Sequence, residues 1–100
     1  MRNESKTEVA RGKLIKENGV EITVIYYVIT DTIPDCYTGS ELYSYGVRVS
    51  VPGPEGAEEA RFRGITLSGD RIYKLAGFLA RNKVTPCAAR DVIEDWLLDM

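Results

Sequence analysis

The 100-residue chain contains no histidine. A general base acting near neutral pH would have to be a carboxylate, lysine, cysteine or tyrosine with a shifted pKa. The adjacent acidic pairs do not supply one. Glu58-Glu59 faces opposite sides of a strand, and Glu94-Asp95 sits about 100° apart on a helix, so neither forms an acid/base dyad. Cysteine is nearly as scarce. Cys36 and Cys87 form no C-x-x-C pair, and two thiolates cannot complete a tetrahedral site unaided, which argues against structural zinc. Long apolar runs are missing too: the longest uncharged one, Ile22 to Ile29, has eight residues against the roughly 20 that a membrane helix needs. Met1-Arg2-Asn3-Glu4-Ser5-Lys6 leads into no apolar stretch of the secretory kind. Together these absences predict a cytoplasmic, non-enzymatic protein without cofactor or metal, with both cysteines as reduced thiols.

No sign of charge dominates. Thirteen basic and fifteen acidic residues give −2, which argues against a general electrostatic hold on nucleic acid. The charge is nevertheless blocked: residues 1–16 sum to +3, 17–60 to −7, 61–83 to +5 and 84–100 to −3. With 44% hydrophobic residues and 11.2 kDa, the chain suits a single domain over residues 1–100 that buries roughly 65% of its unfolded surface.

The first two thirds read as strands. Thr7 to Lys16 forms the first, with Gly12 as a bulge or bend. Glu17-Asn18-Gly19 predicts a hairpin through a type I′ turn, because Asn-Gly supplies two residues that tolerate positive φ. The second strand runs from Val20 to Asp31. Its middle is apolar on both faces, which places it inside the sheet rather than at an edge. Pro34 to Glu41 reads as a loop. In the third strand Tyr43, Tyr45, Val47, Val49 and Val51 alternate with Leu42, Ser44, Gly46, Arg48 and Ser50. After the break at Pro52-Gly53-Pro54-Glu55-Gly56, a fourth strand runs from Glu58 to Thr66, its parity switched by a bulge at Gly64.

At Ser68 the period changes from two to 3.6. Ile72, Leu75, Ala76 and Leu79 make one helical stripe behind Thr66 or Ser68 as N-cap, and Asn82 is suited to the left-handed position beyond its end. Thr85-Pro86 starts a second helix, with Ala89, Val92, Ile93, Trp96, Leu97 and Met100 on its apolar side. The chain therefore reads β-β-β-β-α-α: an α+β fold in which a four-stranded antiparallel meander is followed by a two-helix hairpin packed on one sheet face. The helix stripes and the odd-numbered side of the third strand are the expected core.

Val84-Thr85-Pro86 followed by Asp91-Val92-Ile93-Glu94-Asp95-Trp96-Leu97 resembles the carboxy-terminal signature of a family of small bacterial proteins known only as a domain of unknown function. The likeness covers about the last 35 residues. It implies a cytosolic bacterial protein of about this length, and it brings no activity or site residue.

Two constellations point to function. On the face away from the helices, Ile25, Tyr27 and Ile29 are expected to form an apolar patch that anchors a homodimer or a protein partner. Beside it, Arg48 neighbours Arg61 or Arg63 across the third hairpin. These arginines are either a contact for an anion or partner carboxylate, with small-ligand or nucleic-acid binding as the alternative, or they are satisfied by Glu21, Asp31 or Glu58 on the same sheet. Cys36 lacks a base and has acidic neighbours, so it is not set up as a nucleophile. Cys87 reads as a small buried hydrophobe.

Overall fold

The alternation in the sequence becomes two faces of one sheet. The computed structural model describes residues 3–15, 18–34, 36–52 and 58–98. The strands β1 (Asn3–Ile15), β2 (Glu21–Pro34), β3 (Glu41–Val51) and β4 (Glu58–Thr66) form an antiparallel meander in the order β1-β2-β3-β4. Helices α1 (Gly69–Arg81) and α2 (Pro86–Leu98) follow. This is the expected ββββαα architecture, with β2 in the interior. No helix among the described residues is long and apolar enough to cross a membrane.

The helices cover one face only. α1 packs on β1, β2 and β3, and α2 on β3 and β4. Between them and the sheet lie Val24, Tyr26 and Val28 of β2, Val47 and Val49 of β3, and Ile72, Leu75, Leu79, Val84, Ala89 and Ile93 of the helical hairpin, all buried. Tyr26 is the polar exception. Its hydroxyl donates to the Val84 carbonyl at 2.9 Å, tying β2 to the linker between the helices. Burial raises its phenol pKa above the ordinary tyrosine value, so the group stays a donor.

The helix ends follow their sequence signals with one exchange. Ser68 caps α1, its Oγ accepting from Arg71 N at 3.3 Å. The left-handed residue beyond α1 is Lys83 (φ 51°), not Asn82 (φ −93°). Val84 N donates to Leu79 O and Lys83 N to Ala80 O, the two bonds of a Schellman motif. Asn82 instead uses its side chain, Nδ2 donating to Phe78 O at 2.8 Å. Pro86 holds the first position of α2, as expected.

The strands depart further from expectation. β1 begins at Asn3, four residues early, and its bulge lies between Glu8 and Ala10, not at Gly12. Gly12 lies over the Tyr26 ring, where a Cβ would stand at an ordinary contact distance of 3.8 Å. Ile15 pairs with Glu21, so the first hairpin closes through five residues and not a two-residue type I′ turn. Gly19 takes positive φ (81°), whereas Asn18 stays in the ordinary region and turns the chain by accepting from Val20 N through Oδ1. The second hairpin extends to Pro34↔Glu41 and reaches past β4, which stops at Thr66 opposite Tyr45. Tyr43 lies in that overhang and is 55% exposed rather than in the core. Cys87 is exposed, correcting its reading as a buried hydrophobe, and Cys36 is exposed in the β2–β3 loop; both are free thiols. Expectations for Lys16, Glu17, the 53–56 break and Met100 fall outside the described residues.

Replacing Tyr26 by Phe is expected to cost about 1 kcal/mol in urea denaturation, the net worth of one buried hydrogen bond, with the midpoint lowered and the slope unchanged. Wild-type stability falls as pH rises above about 10 because the raised phenol resists ionisation when folded. In the Phe variant that component should be absent.

Candidate functional site: the open face of the sheet

The face without helices has two tiers. β2 contributes Ile25, Tyr27, Ile29 and Asp31; β3 adds Ser44, Gly46, Arg48 and Ser50; and the flanking strands supply long charged side chains. The expected exposed patch is not there. Ile29 is 0% and Ile25 8% exposed, and Tyr27 is half-buried. Lys6 stands opposite Ile29 and sets its Nζ 5.1 Å from the centre of the Tyr27 ring. Arg48, opposite Tyr27, places its guanidinium carbon 5.2 Å from the same centre. The aliphatic stems of such residues cover apolar surface while their heads stay in water. Ile25 and Ile29 therefore form a floor sealed by the sheet's own side chains and offer no anchor to a partner.

The arginines are brought together in part. Arg48 and Arg61 are direct cross-strand neighbours, an arrangement that like charges oppose. Glu59 resolves it: its Oε2 accepts from Arg48 Nη2 at 2.6 Å, and its Oε1 lies 3.6 Å from Arg61 Nη2. The hydrogen bond from Arg48 holds the Glu59 carboxyl below the usual carboxylate range. Arg48 Nε is buried without a partner, the single such side-chain atom among the described residues.

Arg63 is engaged elsewhere. It forms a two-pronged bridge to Asp31, Nη2 to Oδ1 at 2.7 Å and Nε to Oδ2 at 3.2 Å. Asp31 is on β2 and Arg63 on β4, so the bridge passes over β3 at the level of Gly46 and Ser44. Both glycines of this region serve it. A Cβ on Gly46 would run into the Phe62 carbonyl oxygen and stand 2.9 Å from Arg63 Cα, so only glycine lets β4 lie this close. Gly64 takes positive φ (66°) in the β4 bulge. The bulge expected there is present, and it restores the apolar positions to the helix side at Ile65.

Among the described residues, Asp31 and Glu59 are thus carboxylates set against these arginines. Glu59, not Glu58, lies on the open face, because Ser50 pairs with Glu59 and Val51 with Glu58; Glu21 pairs instead with Lys13 at 3.5 Å. Sequence reasoning missed Lys6, Glu8 and Arg11. Glu8 and Arg11, three apart, share this face and bond at 2.8 Å because the bulge between Glu8 and Ala10 absorbs a residue. The register of β1 beyond its bulge was the missing signal. Counting all the described side chains, this face carries six cations (Lys6, Arg11, Lys13, Arg48, Arg61, Arg63) and four carboxylates (Glu8, Glu21, Asp31, Glu59). Among the described residues no cluster of three or more cysteine, aspartate or glutamate residues is placed to hold a metal ion.

The chain belongs to a family of unknown function, DUF6514, whose profile matches residues 5–99. The carboxy-terminal resemblance therefore extends through the strands. No curated protein and no solved structure matches the chain.

Two outcomes follow from the ion pairs. Arg63→Met takes the two-pronged counter-charge from a carboxylate that is 1% exposed, whereas Asp31→Asn leaves a guanidinium that is 36% exposed and able to turn to water. The arginine variant is expected to lose about 2–3 kcal/mol in chemical denaturation, below the 3–5 of a fully buried pair, and the asparagine variant distinctly less. For Glu59 the folded pKa lies below the unfolded one, so its contribution is present above about 4.5 and lost as pH falls through the folded value. In Glu59→Gln that part of the acid destabilisation should be missing when denaturation curves at successive pH values are compared.

Proposed function

We propose that this family member is a non-enzymatic protein-interaction module that docks an acidic partner on the arginine-bearing side of its open sheet face. What supports the reading is the charge of that face: six cations against four carboxylates among the described side chains, on a chain whose net charge is −2. The excess lies along β1 and β4, while Glu59 and Asp31 hold Arg48 and Arg63 in fixed orientations. Pre-oriented guanidiniums suit the planar carboxylates of a partner and add specificity and encounter rate. Partner choice in this reading is electrostatic, since the apolar floor is covered.

The same geometry weighs against two other occupants. A base stacking on the sheet needs a free aromatic face, and Tyr27, the one aromatic on the open face of the central strands, already has a cation from each neighbouring strand against its ring. Self-association face to face would bring two net-positive surfaces together, which costs free energy.

Binding of fluorescent poly-glutamate, poly-lysine and a single-stranded oligonucleotide, with sedimentation run in parallel, tests the proposal. Poly-glutamate is expected to bind, to weaken as salt rises, and to lose about tenfold in Arg61→Glu. Failure of poly-glutamate to bind, equal binding of the oligonucleotide, or a dimer that persists in Arg61→Glu would each overturn it.

A further inference from the structure

Resting on the reading above, we infer that the acidic partner is taken up as an extended segment that adds a fifth strand to the free edge of β4. β4 ends the sheet, so the backbone groups of Glu58–Thr66 that point away from β3 face no strand among the described residues, and such a row is a template for an incoming one. Beside that edge runs a groove of about 470 Å³. Phe62 and Ile65 of β4 form one wall, Ile93 and Leu97 of α2 the other, and Arg63 and Arg90 stand at its rim with Glu94, the one carboxylate among the described lining residues. A strand laid along β4 projects alternate side chains to opposite faces. One set enters the apolar groove, and the other lies beside Glu59, Arg61 and Arg63 on the open face. The segment that fits alternates apolar and acidic residues.

The opposite edge is built differently. β1 is interrupted in mid-strand by its bulge after Glu8, and Lys6, Glu8, Arg11 and Lys13 line its open-face side, features that discourage strand addition. In β4 the bulge comes late, leaving Glu58–Phe62 in unbroken register with β3. A second copy is a poor occupant. Joining β1 of one chain to β4 of another would set Lys6, Arg11 and Lys13 beside Arg61 and Arg63, and like charges across strands are destabilising. The partner is a different protein: its acidic positions are matched by Arg61 and Arg63, and Arg90 adds positive charge at the rim of the groove.

A ten-residue fluorescent peptide alternating valine and glutamate tests this, alongside a valine–lysine version and a form N-methylated at every second residue to block one hydrogen-bonding edge. The first should bind at least about tenfold more tightly than either control and more tightly than poly-glutamate. Leu97→Asp and Arg90→Glu alter exposed side chains; each is expected to weaken the peptide several-fold without moving the melting temperature. An N-methylated peptide that binds as well as its parent, or full affinity in Leu97→Asp, would overturn strand addition. If poly-glutamate binds but the alternating peptide gains nothing over it, the docking mode fails and the acidic-partner reading stands; if neither binds, both fall.

Discussion

A carboxylate sits almost out of reach of water on the face of the sheet that no helix covers. Asp31 is 1% exposed, and an ion so placed is tolerated only with a close, hydrogen-bonded counter-charge. The partner comes from two strands away. For Arg63 to arrive, β3 must present no bulky side chain at that level, β4 must lie close enough that Gly46 has no room for a Cβ, and the β4 backbone must kink at Gly64. The edge strand is thereby fastened to an interior strand by side chains as well as by its ladder.

That fastening explains why the open face is not apolar. Ile25 and Ile29 are buried like the residues beneath the helices, yet their neighbours on this face are long charged side chains: Lys6 opposite Ile29, Arg11 opposite Ile25, and Arg48 over the Tyr27 ring. Burying an isoleucine is worth about 1.5–3 kcal/mol, while exposed ion pairs of the Arg11–Glu8 kind contribute at most about 1 kcal/mol. The stability of this face thus resides in its floor. The exposed charges above are left to govern what approaches, and apart from the Asp31–Arg63 bridge their arrangement can vary without endangering the fold.

The fold was legible in the sequence to the extent that hydrophobic period and chain punctuation determine it. Alternation in β3, the switch of period at Ser68, the Gly64 bulge and Thr85-Pro86 each mark an element that the structure contains. The open face was not legible. Its composition depends on register, and one bulge near Val9 reverses the facing of every residue before it, so Lys6 could not be set against Ile29 and Tyr27 by counting from the first turn. The same ambiguity in the third hairpin favoured Glu58 over Glu59. Burial of Ile25 and Ile29 was hidden for a further reason: it comes from long polar side chains, which a hydrophobicity pattern counts as solvent.

The β4 bulge joins the two halves of the functional argument. On the open side it accompanies the approach of Arg63 to Asp31, which aligns a guanidinium beside the edge. On the helix side the two residues that β4 gains between Val47↔Phe62 and Tyr45↔Thr66 leave Ile65 packed against the core beside Phe62, and so complete the apolar wall opposite Ile93 and Leu97. A regular β4 would keep its ladder intact and would put Gly64 in that wall in place of Ile65. The irregularity therefore makes one edge of the sheet basic on one side and apolar on the other, the pairing of properties that an alternating acidic and apolar strand requires.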